Sequence, residues 1–244
     1  SSDLYGWSNV LVLLSVFVLV ALAPLFISKR EIPSENIQKE RVSLKDILSF
    51  FKQKGKVKHI LLLIFYYSGI IGIMAMLKPY LVDLGYDVKQ IAFMSGIFGT
   101  LTAAVSTLVA GFLMRKAGRR TALFVFLSVS FAAGLYFYYL SGIQPTQTAL
   151  YIGIGLVWCA YGLSTVGIYT VSMDAVRKGR EGTDFTIQIV ITHIGSLIMA
   201  TTSGKIAHEF GYNGLFAFEA GMSAIVFLLL LYVLPKNKIS SSCK

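Results

Sequence analysis

The chain has 244 residues, of which 55% are hydrophobic and 14% charged, and its mean hydropathy is +0.70. Soluble domains carry about 25% charged residues; apolar blocks as long as these would leave too little polar surface to cover a soluble core, so a bilayer is the solvent for much of the chain. A net charge of +10 in a soluble protein would suggest nucleic acid, but here Lys and Arg gather in short clusters between apolar blocks, which membrane topology explains, and no nucleic-acid partner is expected.

In chain order, seven segments reach the about 20 residues needed to span about 30 Å of hydrocarbon. They run over 6–27, 59–81, 90–113, 120–140, 148–173, 185–207 and 215–234. Each is expected to be helical, because lipid offers no partner for backbone N–H and C=O groups. The first run, Trp7 to Ile27, is long for a signal-peptide core, lacks a basic start, and is followed by Lys29 and Arg30. With Ser1 where Met would stand, the expectation is that the sequence begins inside a longer protein, with residues 1–28 as a transmembrane helix and Trp7 as an interfacial anchor. Residues 29–58 read as a cytoplasmic link with an amphipathic stretch from Leu44 to Phe51, and 59–244 as a six-helix domain.

Basic clusters fall on every second connection: 29–58, Arg115 to Arg120, Arg177 to Arg180, and the tail. The connections between them hold Asp83 and Asp87, or no charge at all, or the mixed group Lys205, His208 and Glu209. The positive-inside rule puts the basic connections and the C-terminus in the cytoplasm, and Ser1 outside. Neither Cys159 nor Cys243 has a plausible disulfide partner, no metal-ligand spacing is visible, and no cofactor is expected.

The six-helix block repeats itself. Gly111 and Gly118 end the third span; Gly204 and Gly211 end the sixth, and 204 − 111 and 211 − 118 both give 93. By the charge rule the first copy lies inside and the second outside, as two three-helix units of opposite orientation require. Close helix packing and tight turning are the expected reasons for these glycines.

Gly111-x-Leu113-x-x-Lys116-x-Gly118-Arg119-Arg120 resembles the G-x-L-a-D-r-x-G-r-r loop signature of the major facilitator superfamily. The resemblance implies an all-α membrane fold, with this chain supplying helix 6 and the C-terminal half, helices 7 to 12, as an inverted three-plus-three repeat. It also implies that Gly111, Arg115, Gly118, Arg119 and Arg120 form a gating loop between helices 8 and 9. Arg115 stands where the signature has an acid, so the charge-relay role of that acid does not carry over. The runs Lys78 to Tyr86 and Gly182 to Gln188 resemble the peptide/acetyl-CoA transporter branch, which holds muropeptide permeases of the AmpG kind and siderophore importers of the RhtX/FptX kind.

The family's central cavity is lined in this half by helices 7, 8, 10 and 11. On helix 10, Trp158, Tyr161, Thr165, Tyr169 and Ser172 share a stripe, either an aromatic packing seam or a surface for a flat polar substrate. On helix 8, Ser95, Gly99, Thr102 and Ser106 read as a helix-packing stripe. On helix 7, Tyr67, Met74 and Lys78 align, and Lys78 either snorkels or holds an anionic substrate. Helix 11 opens with Thr183 and Asp184, either of which reads as its N-cap; Asp184 shares a face with Gln188 and so also reads as lining the cytoplasmic mouth. His193, on the opposite face, is a packing residue or a proton-coupling group. Glu219, the one carboxylate well inside an apolar span, is expected to be protonated or paired with Lys205 or His208. Asp174 with Arg177 and Arg180 is expected to form a cytoplasmic charge cluster that holds the inward gate.

The function the resemblance implies is secondary active transport of a small polar or anionic solute by alternating access, as proton-coupled uptake across a bacterial inner membrane. Ferric siderophores and muropeptides are the favoured substrates, and the bilayer and an absent N-terminal half the other partners. Efflux of drugs or other solutes by the same fold, and a seven-helix receptor, are the alternatives. No G-x-S-x-G, H-E-x-x-H or paired mid-membrane carboxylates are present, so an enzyme is not expected.

Overall fold

The computed structural model describes residues 2–27, 49–51 and 56–233. The chain divides into two compact units, 1–41 and 42–244. In the first, α1 (Ser2–Ile27) is apolar all round: the side chains from Leu11 to Leu22 are all exposed. The Ser15 hydroxyl is satisfied by the Leu11 carbonyl at 2.9 Å. The Trp7 side chain, most of 44–51 and the tail lie outside the described residues.

The second unit is a helical bundle. Its elements are α2 (Lys56–Phe65), α3 (Ser68–Asp83), α4 (Val88–Ile91), a π-helix (Ala92–Phe98), α5 (Gly99–Ala117), α6 (Arg119–Ser141), α7 (Gln147–Asp174) and α8 (Glu181–Val233). Among the described residues, five stretches are long and apolar enough to cross a membrane: Lys56–Asp83, Val88–Ala117, Arg119–Ser141, Gln147–Asp174 and Glu181–Tyr232. The last is two helices joined at Gly211, whose φ of 69° and ψ of −178° break the helical path. Contact between Ser203 and Glu219, each eight residues from Gly211, shows that the chain folds back there as a hairpin. The bundle therefore carries six crossing segments, where hydropathy expects them.

Local chemistry sets the joints. Asp87 caps α4 by accepting from the Lys89 amide, and Gln90 reaches back to the Asp87 amide. The Thr146 hydroxyl oxygen accepts from the Ala149 amide at the start of α7. The hydroxyls of Ser95, Ser106 and Ser130 each donate to the carbonyl four residues back, so none of these three needs water.

Lys56 donates to the Ala175 carbonyl at 2.7 Å, and Arg119 pairs with Asp174. The starts of α2, α6 and α8 and the end of α7 thus share one end, called here the basic end. At the opposite end the Tyr212 hydroxyl donates to Asp83 at 2.5 Å. Helices α3 and α6 pack on α8, and α5 packs on α7, where Ser95, Gly99 and Ser106 are buried. Gly111 serves no close packing: open space surrounds the place of its missing Cβ, and Gly204 meets only the tip of Met76 at 3.6 Å. The glycines that shape the chain are Gly118 and Gly211, at the turns.

Candidate functional site

Helices α2 and α3 form one span interrupted at Tyr66–Tyr67. The Ser68 hydroxyl donates to the Phe65 carbonyl at 2.6 Å, satisfying an acceptor beside the break. Tyr67 is buried at the break, its ring 6.1 Å from that of Tyr161, which is 6.0 Å from Trp158. The indole lies against Gly99, where any side chain would overlap it. Gly99 directly follows the π-helix, so two irregular stretches of backbone flank one aromatic cluster. π-Helical turns concentrate at functional sites. Among the described residues, the buried Trp158 Nε1–H has no hydrogen-bond partner.

Three of the expected substrate residues, Tyr67, Trp158 and Tyr161, are thus brought together. The Thr165 side chain meets that of Tyr67, while its hydroxyl donates to the Tyr161 carbonyl at 2.8 Å. Tyr169 stands farther along α7, edge-on to Phe185 at 6.1 Å. Lys78 does not join them. It is exposed, 11 residues and about 16 Å along α3 from Tyr67. Leu77, Tyr80 and Leu81 occupy the packed face of that end and leave Lys78 outside.

A polar network closes the basic end. The wholly buried Asp184 carboxylate accepts from Arg177 Nε at 2.7 Å, Nη2 at 2.6 Å and the Arg177 amide at 3.1 Å. Arg177 Nη1 also donates to Ser49 at 2.8 Å. Gln188 Nε2 donates to the carbonyls of Ser172 and Asp184, and its Oε1 lies 2.5 Å from His59 Nε2. Lys56 is buried over the Phe50 ring at 4.3 Å. These contacts correct two expectations. Asp174 pairs with Arg119 of the α5–α6 turn, not with Arg177, which is taken by Asp184. Asp184 is not an N-cap, because α8 already begins at Glu181.

Gln188 is held by protein groups and sits apart from the aromatic cluster: its partner Ser172 is 11 residues, about 16 Å, beyond Tyr161. His59 and Lys56 were not singled out from the sequence. Their one signal is spacing, since a three-residue step puts both on the face that α2 turns toward α8. In the expected gating loop, Gly118 turns the chain at φ 81°, Arg119 holds Asp174, and Arg120 lies over Phe124; Arg115 is exposed.

Glu219 is wholly buried against α3, opposite Gly72, where a side chain would collide with its carboxyl. Its partner is the Ser203 hydroxyl, not Lys205 or His208, both of which are exposed. The hairpin explains the difference: residues equidistant from Gly211 face each other, and Lys205 is turned about 200° from Ser203 around the helix. The other carboxyl oxygen, Oε2, has no partner among the described residues. His193 is exposed on the face of α8 opposite the buried Asp184, Gln188, Thr192 and Gly195.

Six apolar crossings, an interrupted span and polar groups buried between helices define a multi-pass membrane protein. The chain belongs to the major facilitator superfamily, whose family model matches residues 1–187. A Rickettsia felis protein provisionally named transporter AmpG 4 is 21% identical over 245 residues, covering 96% of this chain and 58% of that protein. A Rickettsia bellii protein provisionally named transporter AmpG 1 is 28% identical over 203 residues, covering 80% of this chain and 49% of its own length. The chain spans about half the length of the curated relatives it matches. The likeness to transporters of the AmpG kind expected from the sequence is thus met at low identity.

Proposed function

We propose that the chain forms the C-terminal half, with the preceding helix, of a secondary active transporter working by alternating access. The observation that carries this reading is the unpaired Trp158 N–H, held beside Tyr161 and Tyr67 between two irregular helix segments. Interrupted helices at a transporter's midplane leave room for substrate, and a buried unpaired donor costs free energy that a substrate acceptor recovers. Stacking on the rings, with hydrogen bonds from Trp158 and the tyrosine hydroxyls, suits a flat polar solute. Lys78, exposed about 16 Å along α3 from Tyr67, is a candidate for holding an anionic solute only outside this cluster.

The positive-inside rule supports a cytoplasmic basic end in an inner membrane. The Arg119–Asp174 and Arg177–Asp184 pairs then form the inward gate. Proton coupling is assigned first to Glu219. The Ser203 hydroxyl is within hydrogen-bond reach of both Glu219 and the Met199 carbonyl, at 2.7 Å from the latter. It has one proton to give, and a carbonyl only accepts. Both contacts are satisfied together when Glu219 carries a proton and donates it to Ser203. Asp184 and exposed His193 are the further proton-coupling candidates. The names of the relatives and the Gly182 to Gln188 run support a muropeptide-like or ferric siderophore substrate taken up by the cell.

The test is uptake by the full polypeptide in proteoliposomes of ferric siderophores, a muropeptide and acetyl-CoA, with and without an imposed proton gradient. Accumulation that a protonophore abolishes supports the reading. Folded protein that accumulates no member of the panel overturns the substrate assignment, and outward transport of drugs under the same gradient would replace uptake with efflux.

A further inference from the structure

We propose that the membrane-facing groove between α6 and the last stretch of α8 is a site for an anionic phospholipid. Its phosphate is held by Arg120 and Lys58, and an acyl chain lies in the groove. The groove measures about 390 Å³ and is lined by Ser128, Phe131, Ser223, Ala224, Phe227 and Leu228. The Ser128 hydroxyl is already given to the Phe124 carbonyl at 2.9 Å, so the wall it presents suits hydrocarbon.

Register places both cations at the same mouth. Gly134 packs on Ala220 and the Phe124 ring lies 5.0 Å from Phe227, so α6 and this stretch of α8 run antiparallel. Continuing that register brings Arg120 level with Tyr232. The Arg120 guanidinium stands 5.8 Å over the Phe124 ring, and Phe124 is edge-on to the lining residue Phe227. On the other lip Tyr232 is one turn beyond the lining residue Leu228, and Lys58 Nζ is 4.0 Å over the Tyr232 ring. Each cation is therefore fixed at the groove by an aromatic face rather than left to reach freely into water.

Charge argues for an anion as the occupant. Among the described residues no carboxylate pairs with either cation. The nearby carboxylates are engaged elsewhere: Asp174 with Arg119, Asp184 with Arg177, and Glu181 with the Gly179 amide. A basic pocket between membrane helices at headgroup level is what a lipid phosphate needs. Phe131 is 11 residues from Arg120, about 16 Å along α6, which is close to the depth of one leaflet's hydrocarbon, about 15 Å. A second copy docking symmetrically would instead set Arg120 and Lys58 against their own like charges.

The experiment is lipid retention by the purified full polypeptide, read by native mass spectrometry after exchange from mixed micelles of phosphatidylglycerol and phosphatidylcholine. Phosphatidylglycerol is expected to be retained at least tenfold over phosphatidylcholine. The double variant Arg120→Gln, Lys58→Gln is expected to lose most of that preference, and Arg120→Lys to keep it. Ala224→Trp fills the groove while leaving both cations, and is expected to lower retention on its own. Equal retention of the two lipids by the native protein overturns the proposal. So does undiminished phosphatidylglycerol retention by the monodisperse double variant. Competition by glycerol phosphate as strong as by intact lipid would show that the groove contributes nothing, and would overturn it as well. None of these readings depends on transport.

Discussion

Gly118 and Gly211, 93 residues apart, hold nearly the same backbone conformation, φ 81° and ψ 156° in one and φ 69° and ψ −178° in the other. Each joins two crossing helices with no intervening loop. Gly118 does so at the basic end and Gly211 at the opposite end. The remaining positive-φ glycines among the described residues, Gly85 at 86° and Gly179 at 81°, make a second pair at ends exchanged the other way. Two three-helix units with equivalent turns at opposite ends are an inverted repeat.

That conformation is open almost only to glycine and costs other residues about 1–3 kcal/mol. Gly118→Ala and Gly211→Ala are therefore expected to lower the thermal midpoint of the purified protein. Gly111→Ala sits within a helix with space for a methyl, and is expected to leave the midpoint unchanged or to raise it, by up to about 1 kcal/mol in stability. Equal losses in all three variants would mean that the turn conformation is not what these glycines supply.

The Trp158 indole separates substrate recognition from packing. Its N–H bonds nothing among the described residues, so Trp158→Phe should fold with nearly native stability. A lost hydrogen bond to substrate is worth about 0.5–1.5 kcal/mol, which is roughly a twofold to tenfold rise in KM for uptake. Gly99→Ala should affect uptake more severely, because the added methyl displaces the indole. Unchanged KM in Trp158→Phe would take the cluster out of the substrate path.

Much of this architecture is legible in the sequence, because lipid enforces a simple code of apolar length and alternating basic clusters. The aromatic stripe on α7 is also legible from helical spacing. Its encounter with Tyr67 is not, since that depends on the break at Tyr66–Tyr67 and on how α3 packs. Charge pairing misleads for a related reason. Asp174, Arg177 and Arg180 are neighbours in sequence, but α7 ends at Asp174 and the turn through Gly179 carries Arg177 to Asp184. The Ser203–Glu219 contact follows from counting outward from Gly211, once that glycine is seen as a hairpin apex. His59 with Gln188 joins positions 129 residues apart, and no local pattern announces it.

Glu219→Gln tests the proton reading without emptying the site. The carboxamide keeps the shape, and its N–H can donate to Ser203 as the protonated carboxyl would. Stability should stay within about 1 kcal/mol of native. Proton-driven accumulation should be lost while substrate exchange across the membrane persists. A Glu219→Gln protein that still concentrates substrate against its gradient would move the coupling role to Asp184 or His193. Gly72→Val, which drives a side chain into the carboxyl, should destabilise the bundle whichever residue couples.

The Arg177–Asp184 pair ties the α7–α8 connection to Ser49 ahead of α2, so its removal should loosen both. Breaking a buried pair from one side costs about 3–5 kcal/mol, because the remaining charge is stranded. Asp184 is wholly buried but Arg177 is about a quarter exposed, so Arg177→Gln, which strands the carboxylate, should cost more than Asp184→Asn. The double variant should cost less than the sum of the two single changes, which is the signature of direct coupling. Hydrogen exchange supplies the local readout. In Asp184→Asn, protection should fall in 56–60 and 175–190 and persist around Tyr80 and Tyr212 at the opposite end. Additive single costs would mean that the two side chains act independently, and would remove this pair from the proposed gate.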